Sequence, residues 1–219
     1  MADSTRQTQR SGRRKRRGEV VDAAVRVFHA QGYEATSIQD IADEVGILKG
    51  SIYYYISSKE DVLFELLKEV HEQAFNAVQE AIKVDGDALT RIRAFASTLA
   101  RFNAEHPQRM GIFLHDFRSL SEPRRKEIVS ERDRYDRMLR KLITEGQTQG
   151  VVCADVDPKL ATLAIMGMIN TISQWYRPTG RLRPEHIGSV YADLAVRSLA
   201  CSPETHAAGH FAAHAVSAA

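Results

Sequence analysis

Residues 36–63, reading TSIQDIADEVGILKGSIYYYISSKEDVL, hold the side chains of this chain best suited to gripping another molecule. Gly46 separates two short apolar-periodic runs, the phenols of Tyr53, Tyr54 and Tyr55 follow the second, and Lys59 stands just beyond. Hydroxyl and ammonium donors at such spacing suit phosphate oxygens, and a slim helix between them fits a major groove about 12 Å wide. Bond-making chemistry is not indicated. The chain has no G-x-S-x-G elbow, no H-E-x-x-H, no Gly-rich phosphate loop and no Cys/His pair for a nucleophile and its base. His115 and Asp116 are neighbours, but adjacent side chains on a helix point apart. No catalytic residue, metal or cofactor is therefore expected.

These residues need helices to hold them. In residues 14–31 Val21, Ala24, Val25 and Phe28 fall on one helical face, and Gly32 ends the run. Thr36 or Ser37 can cap a second helix whose Ile38, Ile41, Ala42 and Val45 face inward, and a third runs from Leu48 to about Tyr55. Ser58 with Asp61 opens a long helix through Val62, Leu63, Leu66, Leu67 and Val70. Asp85-Gly86-Asp87, Pro107, Pro123, Gly150, Asp157-Pro158 and Pro184 punctuate the rest, with one helix running from Pro158 to about Tyr176. The expectation is an all-α chain of about nine helices: a basic disordered arm (1–12), a three-helix helix-turn-helix domain (13–57), a helical effector-binding and dimerisation domain (58–201), and a disordered tail (202–219).

Charge sharpens the reading of the partner. The net charge is only +2, yet Arg6, Arg10, Arg13, Arg14, Lys15, Arg16 and Arg17 crowd the amino end against the single acid Asp3. Such an arm displaces counterions from a polyanion. Cys153 and Cys201 lack metal-ligand spacing, and neither a signal peptide nor a membrane span is apparent, so a reducing cytoplasm is the expected location. His206, His210 and His214 repeat every four residues, but no thiol or carboxylate falls on that repeat and Gly209 weakens a helix there.

Residues 36–63 resemble the tetracycline-repressor (TetR) family. The resemblance rests on Thr36, Ser37, Ile38, Ile41, Ala42, Gly46, Ile47, Gly50, Ile52, Tyr53, Tyr55, Ser58, Lys59, Glu60 and Leu63. A generic helix-turn-helix would share only the apolar positions and the turn glycine. It implies that Thr36, Tyr53, Tyr55 and Lys59 meet the DNA backbone, and that Gln39, Lys49, Ser51 and Tyr54 lie near base edges or phosphates beside Gly50. Lys49 is the candidate for reading guanine. Three positions depart from the family: Val45 where Ala is usual, Ile56 where Phe is common, and Leu48 where a Ser often opens the recognition helix.

The second domain offers apolar stripes with a few polar anchors, which is how small-molecule pockets are built. Phe102, Met110, Phe113, Phe117, Tyr135, Met138, Met166, Asn170, Gln174 and Trp175 are the expected effector contacts, near Asn103. The run GMINTISQWYRPTGRLRPEHI, residues 167–187, resembles the C-terminal domain of TetR-like regulators that answer acyl-CoA thioesters, with Thr171 where that group often has Trp. The resemblance implies a small hydrophobic effector, an acyl-CoA from lipid, steroid or aromatic catabolism, whose phosphates Arg109, Arg118, Arg177, Arg181 and Arg183 could meet. Drugs or other hydrophobic compounds sensed by a repressor of efflux are the alternative, and a nucleoid protein without an effector is a third reading.

Leu160, Leu163, Ala164, Gly167 and Thr171, with Val190 and Leu194, suit close packing of the last two long helices in a homodimer. Two recognition helices would then face successive major grooves of a near-palindromic operator, about 34 Å apart.

Overall fold

The computed structural model describes residues 2–201, with side chains from Lys15 onward. The chain is all-helical, as expected: α1 (Ala2–Gln31), α2 (Ile38–Val45), α3 (Lys49–Ile52), α4 (Lys59–Ala81), α5 (Ala88–Glu105), α6 (Pro107–His115), a 3-10 turn (Asp116–Ser119), α7 (Glu122–Thr148), α8 (Pro158–Asn170), α9 (Ile172–Trp175) and α10 (Pro184–Leu199). Among the described residues the sole β pairing is an isolated bridge between Val152 and Ala200, and no helix is long and apolar enough to cross a membrane.

Two expected boundaries differ. Residues 2–12, read as a disordered arm, form the first turns of α1. Arg6, Gln7, Gln9 and Arg10 are good helix formers and no proline interrupts residues 2–12. The helix expected over 158–176 breaks after Asn170, where Thr171 donates its hydroxyl to the Met168 carbonyl at 2.8 Å and Asn103 Nδ2 donates to the Ile169 carbonyl at 3.2 Å. Counting α8 and α9 as one interrupted helix leaves nine among the described residues. The tail from Ser202 and its three spaced histidines lie outside the described residues.

The chain divides into two compact units, and not at residue 58. The first holds the chain up to Gln73 together with His106–Arg132; the second holds Ala74–Glu105 and the chain from Asp133. Long-range polar links explain why α6 and the start of α7 belong with the amino-terminal helices. Arg109 on α6 pairs with Asp22 on α1 and lies 3.5 Å from Glu69 on α4. Arg124 pairs with Asp61, Glu60 Oε1 accepts from the Ser121 N–H at 2.9 Å, and Ser119 Oγ donates to Glu34 at 2.8 Å.

In the first unit Val20, Val21, Ala24, Val25 and Phe28 on α1 are buried, as are Ile41 and Ala42 of α2, Ile52 of α3, and Val62, Leu63, Leu66, Leu67 and Val70 of α4. Helix α2 is held at both ends. Ser37 and Asp40 form a reciprocal capping box, and Gly46 closes the helix at φ 74°, a left-handed conformation that glycine adopts without steric cost. The Ser37 backbone N–H, donating to Asp40, holds that carboxyl below the usual range.

In the second unit α5 and α10 pack along their lengths. Gly188 makes this approach possible, since a Cβ there would come within 2.8 Å of the Ser97 carbonyl oxygen. Phe75 and Phe95 meet Tyr135 edge-on, at centroid separations of 5.4 and 6.5 Å. Asp157 caps α8 by accepting from the N–H groups of Lys159 and Leu160, both at 2.8 Å.

Candidate nucleic-acid interface

The interface is built on α3, which turns one side inward and the other out. Ile52 is fully buried and Ile56 is 3% exposed, whereas Leu48 is 80%, Tyr54 73% and Tyr53 51% exposed. Lys49 and Gly50 lie on the outer side, with Ser51 and Tyr55 half-buried beside them. The segment therefore presents a cation, a hydroxyl and two phenol-bearing rings to solvent while two isoleucines anchor it.

Helix α3 is shorter than the sequence predicts. It ends at Ile52, and residues 53–55 continue as turns, with the Tyr54 and Tyr55 N–H groups donating to the Ser51 and Ile52 carbonyls at 3.2 and 2.9 Å. At its start Leu48 occupies the N-cap in extended conformation, and its side chain has nothing to accept the orphan N–H groups.

The structure moves two expected contacts inward. Thr36 is 3% exposed and donates its hydroxyl to the Gly32 carbonyl at 2.7 Å, so it closes the end of α1 instead of facing outward. Lys59 donates to the Tyr33 and Glu34 carbonyls at 2.8 and 3.2 Å and lies 4.3 Å from the Tyr33 ring centroid. Its ammonium ties the start of α4 to the loop after α1, which makes it a structural cation first. Gln39 is half-buried and gives its amide N–H to Asp43 at 2.7 Å.

Gly50 is informative for what it does not do. Its φ is not positive, and a Cβ built there would meet nothing within 4 Å. Glycine inside a helix costs up to about 1 kcal/mol relative to alanine, so the fold alone gives no reason for it.

The expected effector residues do not form one cluster within either unit. Met110, Phe113 and Phe117 belong to the first unit, where Phe113 stacks on His71 at 6.2 Å and Arg132 lies 5.6 and 4.9 Å from the rings of Phe113 and Phe117. In the second unit Phe102 and Tyr135 are buried, and Met138, Met166 and Asn170 are half-buried. Gln174 and Trp175 are exposed, because the break after Asn170 turns them out of the line of α8. A groove of about 760 Å³ within the first unit, bounded by Arg17, Tyr53, Phe64 and Arg124, is lined by none of the ten. Sequence reasoning gave no role to His71, which is buried with Nε2 3.4 Å from Glu131; its place beside Val70 on the apolar stripe of α4 was the available signal.

The expected dimer residues share a different environment. Leu160, Leu163, Ala164, Gly167 and Thr171 are all exposed along α8, as are Val190 and Leu194 on α10.

Similarity to known proteins agrees with this geometry. Residues 20–66 match the family described as bacterial regulatory proteins, tetR family, and residues 85–199 match the tetracyclin repressor-like C-terminal domain. The HTH-type transcriptional repressor KstR2 of Mycobacterium tuberculosis is 29% identical over 184 residues, 83% of this chain and 91% of that protein. The fatty acid metabolism regulator protein of Bacillus subtilis is 28% identical over 72% of this chain and 81% of its own length. Among solved structures, the ketosteroid transcriptional regulator KstR2 of Mycobacterium tuberculosis superposes with a TM-score of 0.80 at 26% identity, over 85% of this chain and 96% of that one. AibR in complex with isovaleryl coenzyme A and operator DNA does so with a TM-score of 0.71 at 26% identity, over 82% and 97% of the two chains. With its outward-facing α3 and two domain matches, one spanning more than half its length, this chain belongs to the tetR family of DNA-binding transcription regulators.

Proposed function

We propose that the chain is a homodimeric repressor that grips a near-palindromic operator through residues 48–55 and releases it when an acyl-CoA thioester binds. The observation that carries the DNA-binding half is the alternation of exposure along residues 48–56: buried Ile52 and Ile56 leave Lys49, Ser51, Tyr53 and Tyr54 as the side chains a groove would meet. Lys49 donates to guanine, whose O6 and N7 accept; the tyrosine hydroxyls and Ser51 hold the phosphates; Gly50 gives the duplex room. The exposed stripe on α8 and α10 receives the same stripe of a second copy about a twofold axis.

The effector class rests on the relatives. KstR2 is a ketosteroid regulator, and AibR was solved with isovaleryl coenzyme A and operator DNA together. In this chain the apolar residues Phe102, Met110, Phe113, Phe117, Tyr135, Met138 and Met166, with Asn170, are the candidates to line the acyl end. Release works through α6. Its Arg109 holds both Asp22 on α1 and Glu69 on α4, so a displaced α6 strains α1, which packs on α2, and α4, which follows the recognition segment.

Selection of bound sequences from a random duplex pool, followed by titration with long-chain, steroid-derived and aromatic CoA thioesters, tests this reading. Effector and DNA are expected to weaken one another by the same factor. A thioester that binds tightly and leaves operator affinity unchanged would refute the release mechanism.

A further inference from the structure

Leu48 breaks two local rules at once. Ser, Thr, Asp and Asn are strongly favoured at a helix N-cap because a side-chain oxygen accepts an orphan N–H, and leucine is among the poorest choices. The structure shows the consequence: Ser37 and Asp157 cap α2 and α8 through their side chains, α6 and α10 open on a proline without such a bond, and α3 has neither a side-chain cap bond nor a proline. Leu48 also gains nothing from burial. At 80% it is the most exposed of the large apolar side chains described. A residue that neither caps nor packs, set at the leading edge of the segment argued above to enter the groove, has its use outside the protein.

Resting on that DNA-binding reading, we propose that Leu48 is a specificity residue that recognises thymine by apolar contact with its C5-methyl group. In the major groove thymine alone offers a methyl, and apolar side chains are its natural partners. The neighbour fixes where the thymine lies. Consecutive Cα atoms are about 3.8 Å apart, close to the roughly 3.4 Å rise between successive bases of a strand. Leu48, an extended N-cap residue outside the helix, and Lys49 are assigned on this proposal to the same base pair or adjacent ones, an apolar reader beside a cationic one. Each half-site carries a thymine within one step of the guanine read by Lys49.

Deoxyuridine lacks only that methyl, so it isolates the contact. Each thymine of a selected operator is replaced singly by deoxyuridine, and affinities are measured for the full chain and for Leu48→Ala, whose exposed site leaves the fold unperturbed in circular dichroism and melting. One thymine per half-site is expected to lose about fourfold in affinity for the wild-type chain, the equivalent of one methyl-sized group withdrawn from water, and to show a ratio near one for Leu48→Ala. That thymine should adjoin the base pair whose preference Lys49→Ala relaxes. The proposal is overturned if no thymine is methyl-sensitive, or if Leu48→Ala keeps the same fourfold ratio. A wild-type chain that selects no duplex at all would instead bring down the DNA-binding reading and this inference with it, a result distinguishable from tight binding that ignores the methyl.

Discussion

Two surfaces of this chain keep large apolar side chains in solvent, and they differ in what accompanies them. The recognition segment of the first unit mixes Leu48, Tyr53 and Tyr54 with a lysine, a serine and a helical glycine. The stripe of the second unit sets Leu160, Leu163, Val190 and Leu194 beside Ala164, Gly167 and Thr171, with no charged side chain at those positions. A mixed surface suits a polyanion with readable edges; an uncharged one of large and small residues suits a copy of itself. Gly50 and Gly167 make the parallel concrete, since a Cβ at either would meet nothing within 4 Å inside the chain. On the proposed reading, each glycine leaves room for a partner outside the chain.

The comparison is broken most forcefully at the stripe. Leu163→Asp would place an unpaired carboxylate in an apolar contact and is expected to weaken dimerisation by about 3 kcal/mol or more while leaving helicity intact. Sedimentation velocity checks it, and a variant that stays dimeric at the same concentration removes α8 from the interface.

The lysines come next. Lys49→Ala should cost about 1 to 3 kcal/mol of operator affinity and relax preference at one base step. Lys59→Ala should weaken all sites alike and, unlike Lys49→Ala, lower the melting temperature, because its ammonium joins α4 to the Tyr33 and Glu34 carbonyls. Binding to single-base operator variants, with thermal melts in parallel, separates them; a uniform loss for Lys49→Ala would exclude it from base reading.

Smaller effects sharpen the parallel between the glycines. Gly50→Ala and Gly167→Ala should each stabilise the fold by about 0.5 to 1 kcal/mol, the first weakening operator binding without touching dimerisation and the second weakening dimerisation directly. Unfolding and binding titrations check the signs, and a Gly50→Ala variant with undiminished operator affinity would show that the duplex needs no close approach there.

The weakest expected effect is acid sensitivity of the first unit. Hydrogen bonds from Ser121 hold Glu60 below the usual carboxylate range, and Asp61 is held low by Arg124 although its burial acts in the opposite sense. Carboxyls depressed in the folded state contribute stability above their unfolded pKa and lose it as pH falls through the folded value. Arg124→Gln should therefore destabilise at neutral pH by under about 1 kcal/mol, these groups being partly exposed, and the difference should vanish in acid below the ordinary carboxylate range. A difference in unfolding free energy that does not change with pH would assign the arginine to packing over Phe64, whose ring centroid lies 5.2 Å away.

Most of the helices were legible in the sequence because their signals are local. Ser37 with Asp40, Asp157 ahead of Pro158, Pro107, Pro184 and the glycines at 32 and 46 mark ends within a few residues of the groups they satisfy. The outward side of α3 was legible too, since Ile52 and Ile56 declare the inward one. The further bonds of Thr36 and Lys59 within the fold were not legible, because their partners are backbone carbonyls that side-chain patterns do not reveal.

The sequence by itself determined that the chain is helical, where the turn between α2 and α3 falls, and which residues flank it, because periodicity and capping act over one or two turns. Only the tertiary structure decided that α6 joins the amino-terminal unit, since Arg109 and Asp22 stand 87 positions apart and their pairing leaves no local trace. It alone decided that Gln174 and Trp175 face solvent, because the carbonyl of Ile169 at the break in α8 accepts from Asn103 on a different helix, 66 positions earlier. Contacts closed by folding over such distances depend on the path of the whole chain, and no window of neighbouring residues contains them.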